Sequence, residues 1–178
     1  MDKQELSNLI LGDDPAKVGK WFELFKDPVW VPRYNMNWTE TRDEPFKKLT
    51  KVMKSGIVSV KDFFNDPKNI FLAHEMIGML DGATVTKFTV QFNLFGGSMT
   101  ALYTDRHQKY FDMIDSGEII GCFCLTELGY GNNAIKMETT ITYDDKTKEF
   151  VVNSPSVLSQ KYWITNGFRH SNHALVFG

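Results

Sequence analysis

Residues 119–133 read IIGCFCLTELGYGNN, an apolar run that stops at a polar, glycine-containing turn. From Ile119 to Thr126 the residues are β-branched, aromatic or small, and no helical spacing runs through them. The stretch therefore predicts a buried strand that meets a turn at Gly129–Gly131. It also marks the point where the pattern of the chain changes.

Before it the pattern is helical. Asp14-Pro15 reads as an N-cap followed by proline at the first helical position. Val18, Trp21, Phe22 and Phe25 then recur at i, i+3, i+4 and i+7 as one apolar face, and Asp27-Pro28 ends it. Residues 28–40 have no clean period and predict an extended linker. A helix is expected from about 44 to 54, with Phe46, Leu49 and Met53 inward, Lys47-Lys48 on a solvated face and Ser55-Gly56 as its stop. Asp66-Pro67 opens another helix through Phe71, His74, Ile77 and Met79, which Asp81-Gly82 breaks. Ala83 to Leu94 is apolar all round, the signature of a buried helix. Gly96-Gly97 is expected to separate it from another helical stretch, and Thr104 to Ile114 follows, ending at Ser116-Gly117.

After it the chain reads as strands. Thr139–Tyr143 and Glu149–Asn153 flank the turn sequence Asp144-Asp145-Lys146-Thr147 as a hairpin. Further strands are expected over about 157–165 and 173–177. The fold class is thus α+β, an all-helical domain over 1–118 followed by an incomplete antiparallel β domain over 119–178. The apolar strand ending at Gly178 would leave an open sheet edge and an uncovered face. The expectation is a fragment of a longer protein, or a sheet that a partner completes.

Composition narrows the function. With 178 residues, 42% hydrophobic and 13% aromatic, the chain has the makeup of a globular protein. A net charge of −2 gives no electrostatic case for nucleic acid or an anionic membrane. No stretch has the roughly 18 consecutive apolar residues of a membrane span. The start MDKQELSNLI lacks the features of a secretory signal. Two cysteines without a disulfide pattern suit a reducing compartment, and an intracellular location is expected.

Simple catalytic motifs are missing. Cys122 and Cys124 share one strand face, a spacing that fits neither a redox C-x-x-C nor a zinc ligand pair, so they read as buried thiols. His170 and His173 read as turn or surface residues. Gly129-Tyr130-Gly131 is too short for a dinucleotide fingerprint, and Gly96-Gly97 lacks the Lys-Ser/Thr of a phosphate loop. No metal site is expected.

Two segments together are more informative. IIGCFCLTELGYGNN (119–133) and KYWITNG (161–167) resemble the acyl-CoA dehydrogenase and acyl-CoA oxidase superfamily. There a strand with a T-E-P-G-x-G-S-D type sequence lies beside one with K-x-W-I-T-N-G, against a bound flavin. QKYFDMIDSGEIIG (108–121) resembles the family's helix leading into the first strand. METTITYDDKTKEFVVNSP (137–155) resembles the hairpin of the oxidase branch, and Leu128 stands where dehydrogenases usually carry proline. KYWITNG leans toward dehydrogenases, but the balance favours an acyl-CoA oxidase.

The resemblance implies an FAD enzyme of fatty acid β-oxidation. It would convert a fatty acyl-CoA to the trans-2-enoyl-CoA and pass electrons to molecular oxygen, forming hydrogen peroxide. Phe123 and Leu125 would give the flavin apolar contact, Thr126 would hydrogen-bond it, Trp163 would pack on its ring, and Thr165 would donate near the hydride-accepting atom. Gly129 and Gly131 would let the turn approach the acyl-CoA. Asn132 stands where the family often binds CoA through serine, and Asn133 replaces the usual aspartate. The family's catalytic glutamate belongs to a C-terminal helical domain with no counterpart in these residues, so the chain alone is expected to be inactive. A homodimer of the full-length protein and a peroxisomal location are implied too, although the terminal Leu-Val-Phe-Gly is not a peroxisomal tripeptide. Two alternatives stand beside this reading: a dehydrogenase that passes electrons to a protein acceptor, and a non-catalytic module binding acyl-CoA or a partner.

Overall fold

The structure is a computed structural model that describes residues 2–12 and 14–178. The chain divides into two compact units, one ending at Glu118 and the other spanning Ile119–Gly178. Among the described residues, the first is helical and the second carries the strands.

In the helical unit, α1 (Lys3–Leu11) begins at a capping box between Asp2 and Glu5. No apolar stripe announces it, since none of its residues is buried. α2 (Pro15–Leu24) starts as expected, with the Asp14 carboxylate accepting from the Lys17 N–H at 2.9 Å. Its inward residues are Val18 and Trp21; Phe22 is exposed, so the apolar stripe is narrower than the sequence spacing implies. The segment after it includes a short 3-10 turn at Pro28–Trp30 whose Trp30 is buried against Phe25.

α3 (Glu40–Ser55) begins four residues before the expected start. Pro45 lies inside it, because the Glu40 and Asn37 side chains secure the first turn upstream of the proline. Leu49 and Met53 are buried, Phe46 is half-buried, and Gly56 ends the helix at φ +65°. Lys48 is not on a solvated face. It is buried and ion-paired with Asp81, the residue that also caps the next helix by accepting from the Thr84 N–H. α4 (Asp62–Asn65) is a single turn, and α5 (Pro67–Leu80) buries Ile70, Ala73, Met76 and Ile77 while Phe71 and Met79 face outward. His74 is satisfied structurally, bonded to the Ile70 carbonyl and Thr89 hydroxyl and set edge-on to Phe88.

α6 (Gly82–Phe88) continues without a break through a π-helical stretch, Thr89–Gly96, into α7 (Gly97–Ala101). The glycine pair is therefore not a separator. A Cβ on Gly96 would lie 2.5 Å from Val60 Cγ1, so this glycine serves close packing. α8 (Lys109–Ser116) follows a 3-10 turn and ends at Gly117, φ +78°. Among the described residues no helix is long and apolar enough to cross a membrane.

In the second unit, β1 (Gly121–Cys124) pairs in parallel with β4 (His173–Val176), with Cys122 opposite Ala174 and Cys124 opposite Val176. β2 (Thr140–Asp144) and β3 (Glu149–Asn153) form the expected antiparallel hairpin. The sheet is thus two separate pairs, one of them parallel, instead of one antiparallel meander. The strand expected over 157–165 does not form; turns fill most of it, and only Lys161 makes a bridge. Ile141, Tyr143, Phe150 and Val152 share one exposed hairpin face.

Candidate functional site

The two motif segments meet inside the β unit. Beyond β1 the chain turns at Glu127–Gly131, and the 158–162 segment lies antiparallel to it. The Thr126 carbonyl accepts from the Tyr162 N–H at 3.0 Å, and the Leu128 and Gly129 N–H groups donate to the Gln160 and Leu158 carbonyls, both at 2.9 Å. This approach requires Gly129, because a Cβ there would lie 2.7 Å from the Leu158 Cβ. The close neighbour that explains this glycine belongs to the chain itself. Gly131 is glycine for its conformation, φ +54°, with open space where a side chain would be. Asn132 is exposed, and its carbonyl accepts from the Ala134 N–H.

Glu127 holds the segments together. It is buried, and its carboxylate accepts from the Glu138 and Thr139 N–H groups at 2.9 Å each, the Thr139 hydroxyl at 2.5 Å and Lys161 Nζ at 3.1 Å. Burial alone would push its pKa up. The donors from Glu138, Thr139 and Lys161 outweigh that and hold it at about 2. Lys161 also donates to the Leu125 carbonyl. A second link joins Tyr130 to Glu138, whose other oxygen accepts from Ser156 at 2.8 Å.

This frame presents the residues singled out in sequence. Leu125 and Thr126 are half-buried. Phe123 packs on Phe177, ring centroids 4.9 Å apart. Trp163 is 82% exposed and sits at φ +64°, the left-handed region that costs a non-glycine residue on the order of 1 kcal/mol or more. The half-buried Thr165 follows, then Asn166, buried at φ +68°, whose carbonyl accepts from the N–H groups of Arg169, His170 and Ser171. The Thr126 and Thr165 hydroxyls make no hydrogen bond among the described residues. The N–H groups of Trp163, Ile164 and Thr165 make no backbone hydrogen bond there either. The frame thus presents an exposed indole and two uncommitted hydroxyls on segments pinned to each other.

Sequence reasoning passed over Glu127, Thr139 and Lys161. Their one signal was indirect: an acid beside Thr126 and a lysine at the head of KYWITNG, the two motifs that had to meet.

No family model matches the chain. Among curated relatives, it is 31% identical over 156 residues to peroxisomal acyl-coenzyme A oxidase 3 of Homo sapiens, covering 86% of this chain and 22% of that protein. Among solved structures, acyl-CoA oxidase 1 of Yarrowia lipolytica superposes with a TM-score of 0.76 at 27% identity, covering 92% of this chain and 24% of that one. Acyl-CoA oxidase-2 of Caenorhabditis elegans, solved with FAD, an ascaroside-CoA and ATP, superposes with a TM-score of 0.72 at 26% identity, over 98% of this chain and 27% of that one. All three carry the name of one class, oxidases of acyl-coenzyme A. The chain belongs to the acyl-CoA oxidase family, and it spans about a quarter of the length of these relatives.

Proposed function

We propose that the chain forms part of an FAD-dependent acyl-CoA oxidase of peroxisomal fatty acid β-oxidation, homodimeric at full length. Its reaction is α,β-dehydrogenation of a fatty acyl-CoA to the trans-2-enoyl-CoA, with molecular oxygen reduced to hydrogen peroxide. On this reading residues 1–118 are the N-terminal helical domain and 119–178 the first part of the middle β domain.

Trp163 carries the reading. An exposed indole, edge-on to Tyr162 and held in a strained backbone conformation beside threonines whose hydroxyls have no partner among the described residues, is an arrangement the chain's own packing does not fully account for. It suits a flat heteroaromatic ligand that needs an apolar wall and a few hydrogen-bond donors. The isoalloxazine of FAD is such a ligand, so the donor set fits. Bound there, FAD supplies a two-electron acceptor for the hydride leaving the substrate's β-carbon.

The chain's residues have defined parts in this scheme. Thr126 would donate its hydroxyl to the ring, and Thr165 would offer it a hydroxyl and an N–H without a backbone partner. Trp163 and Leu125 cover apolar surface and keep water away. Phe123, packed on Phe177, supports that wall from within the unit. The exposed Gly131 and Asn132, with Gly129, form the turn offered to the acyl-CoA. Removal of the α-proton is assigned to no residue of this chain.

Protein expressed from the source reading frame tests the reading. It is expected to carry a flavin absorption spectrum that bleaches when a saturated fatty acyl-CoA is added without oxygen. Readmitting oxygen should restore the colour and release hydrogen peroxide. Bleaching without peroxide would instead identify a dehydrogenase, and no flavin colour would point to a binding module.

A further inference from the structure

The proposed reaction leaves one chemical feature of β1 unused. The Cys122 and Cys124 sulfurs lie 3.6 Å apart on the same strand face, already in contact. Both line a cavity of about 410 Å³ bounded also by Ile164, Gly167 and Ala174. Ala174 is the residue opposite Cys122 in the parallel ladder, and its small side chain leaves room at the thiols. We propose that Cys122 and Cys124 are a redox-modification site at which a hydroperoxide closes an intrachain disulfide.

The sulfur contact brings the two thiols within reach of each other. Burial, and then the neighbouring Cys122, push the Cys124 thiol up to about 12, and either sulfur can donate in the contact between them. In the first step one of the two sulfurs attacks one peroxide oxygen, the O–O bond breaks, and that cysteine becomes a sulfenic acid with release of water. In the second, the other sulfur attacks the sulfenic sulfur, the S–O bond breaks, and the hydroxyl leaves as water with the second thiol's proton. Two thiols and one hydrogen peroxide thus become one disulfide and two waters, the sulfurs losing the two electrons the peroxide gains.

Closure must bring the sulfurs from 3.6 Å to about 2.05 Å. Residues two apart in an extended strand reach bonding distance only if the strand puckers. That strain falls on the end of β1, where the Cys124 carbonyl accepts from the Phe177 N–H. The Phe177 amide should therefore exchange faster after oxidation, and a dithiol reductant should restore it. Hydrogen peroxide is also the product of the proposed reaction, but the chemistry here needs only added peroxide.

The test treats the reduced, folded chain with equimolar hydrogen peroxide at neutral pH, alkylates free thiols and examines the tryptic peptide 110–136. The expected result is loss of both alkylatable thiols, a mass lower by two hydrogens, and full reversal by dithiothreitol. In Cys124→Ser and in Cys122→Ser, dimedone should trap a sulfenic acid on the cysteine that remains. Oxygen added separately to each sulfur, a disulfide between chains, or thiols still alkylatable under peroxide that oxidises free glutathione would each overturn the proposal. None of these readouts involves flavin or acyl-CoA, so failure here leaves the functional proposal untouched.

Discussion

Replacing Glu127 should loosen the frame that carries the site. Its carboxyl falls from the usual 4.5 to about 2 because the buried anion accepts from two N–H groups, a hydroxyl and an ammonium. At about 1.36 kcal/mol per pH unit, that depression corresponds to roughly 3 kcal/mol favouring the folded, ionised form. Glu127→Gln keeps the shape, but its amide NH2 faces donors and leaves Lys161 without a counter-charge. Opening of this segment should become easier by about 3 kcal/mol, so the Glu138, Thr139, Leu128 and Tyr162 amides should exchange about 100-fold faster at neutral pH. A depressed carboxylate stabilises fully above its unfolded value and loses that contribution as pH falls through the folded one. In the wild type the protection should therefore decline between pH 4.5 and about 2. Glu127→Gln should abolish that decline. Protection within twofold of wild type in the variant, with an unchanged acid profile, would refute the assignment of Glu127 as the linking group.

Other perturbations follow from single contacts. Gly96→Ala would drive a Cβ to 2.5 Å from Val60 Cγ1 and 3.1 Å from the Gln91 carbonyl, and should lower stability by about 1–3 kcal/mol in urea titration. Lys48→Met leaves the half-buried Asp81 carboxylate without its cation and should cost about 2–4 kcal/mol in the same measurement. Gly129→Ala should separate 126–129 from 158–162, seen as faster exchange of the Leu128 and Gly129 amides, while changing the helical unit little. Trp163→Gly should relieve the positive φ and stabilise the chain by about 1 kcal/mol while weakening flavin binding, a separation that marks a strained functional residue.

Much of the helical unit could be read before folding because its signals are local. Proline after aspartate opened α2 and α5, and glycine closed α3 and α8. The misreadings came where a distant partner decided the outcome. Lys48 looked solvated until Asp81, brought from 33 residues away, paired with it. Gly96 looked like a break until Val60 supplied the crowded neighbour. In the β unit, β1 found a parallel partner some 50 residues downstream, a pairing that alternation within each strand does not encode. The meeting of the TELG and KYW segments was legible only through resemblance, whereas the Glu127 network that enforces it depends on backbone donors invisible in side-chain pattern.

The most direct test of the central claim is an amide chemical-shift titration of the chain with FAD. The account predicts saturable shifts centred on Leu125, Thr126 and Trp163–Thr165, with binding about tenfold weaker in Thr126→Val or Thr165→Val, the loss of roughly one hydrogen bond. Shifts centred elsewhere, or binding unchanged when both hydroxyls are removed, would contradict it.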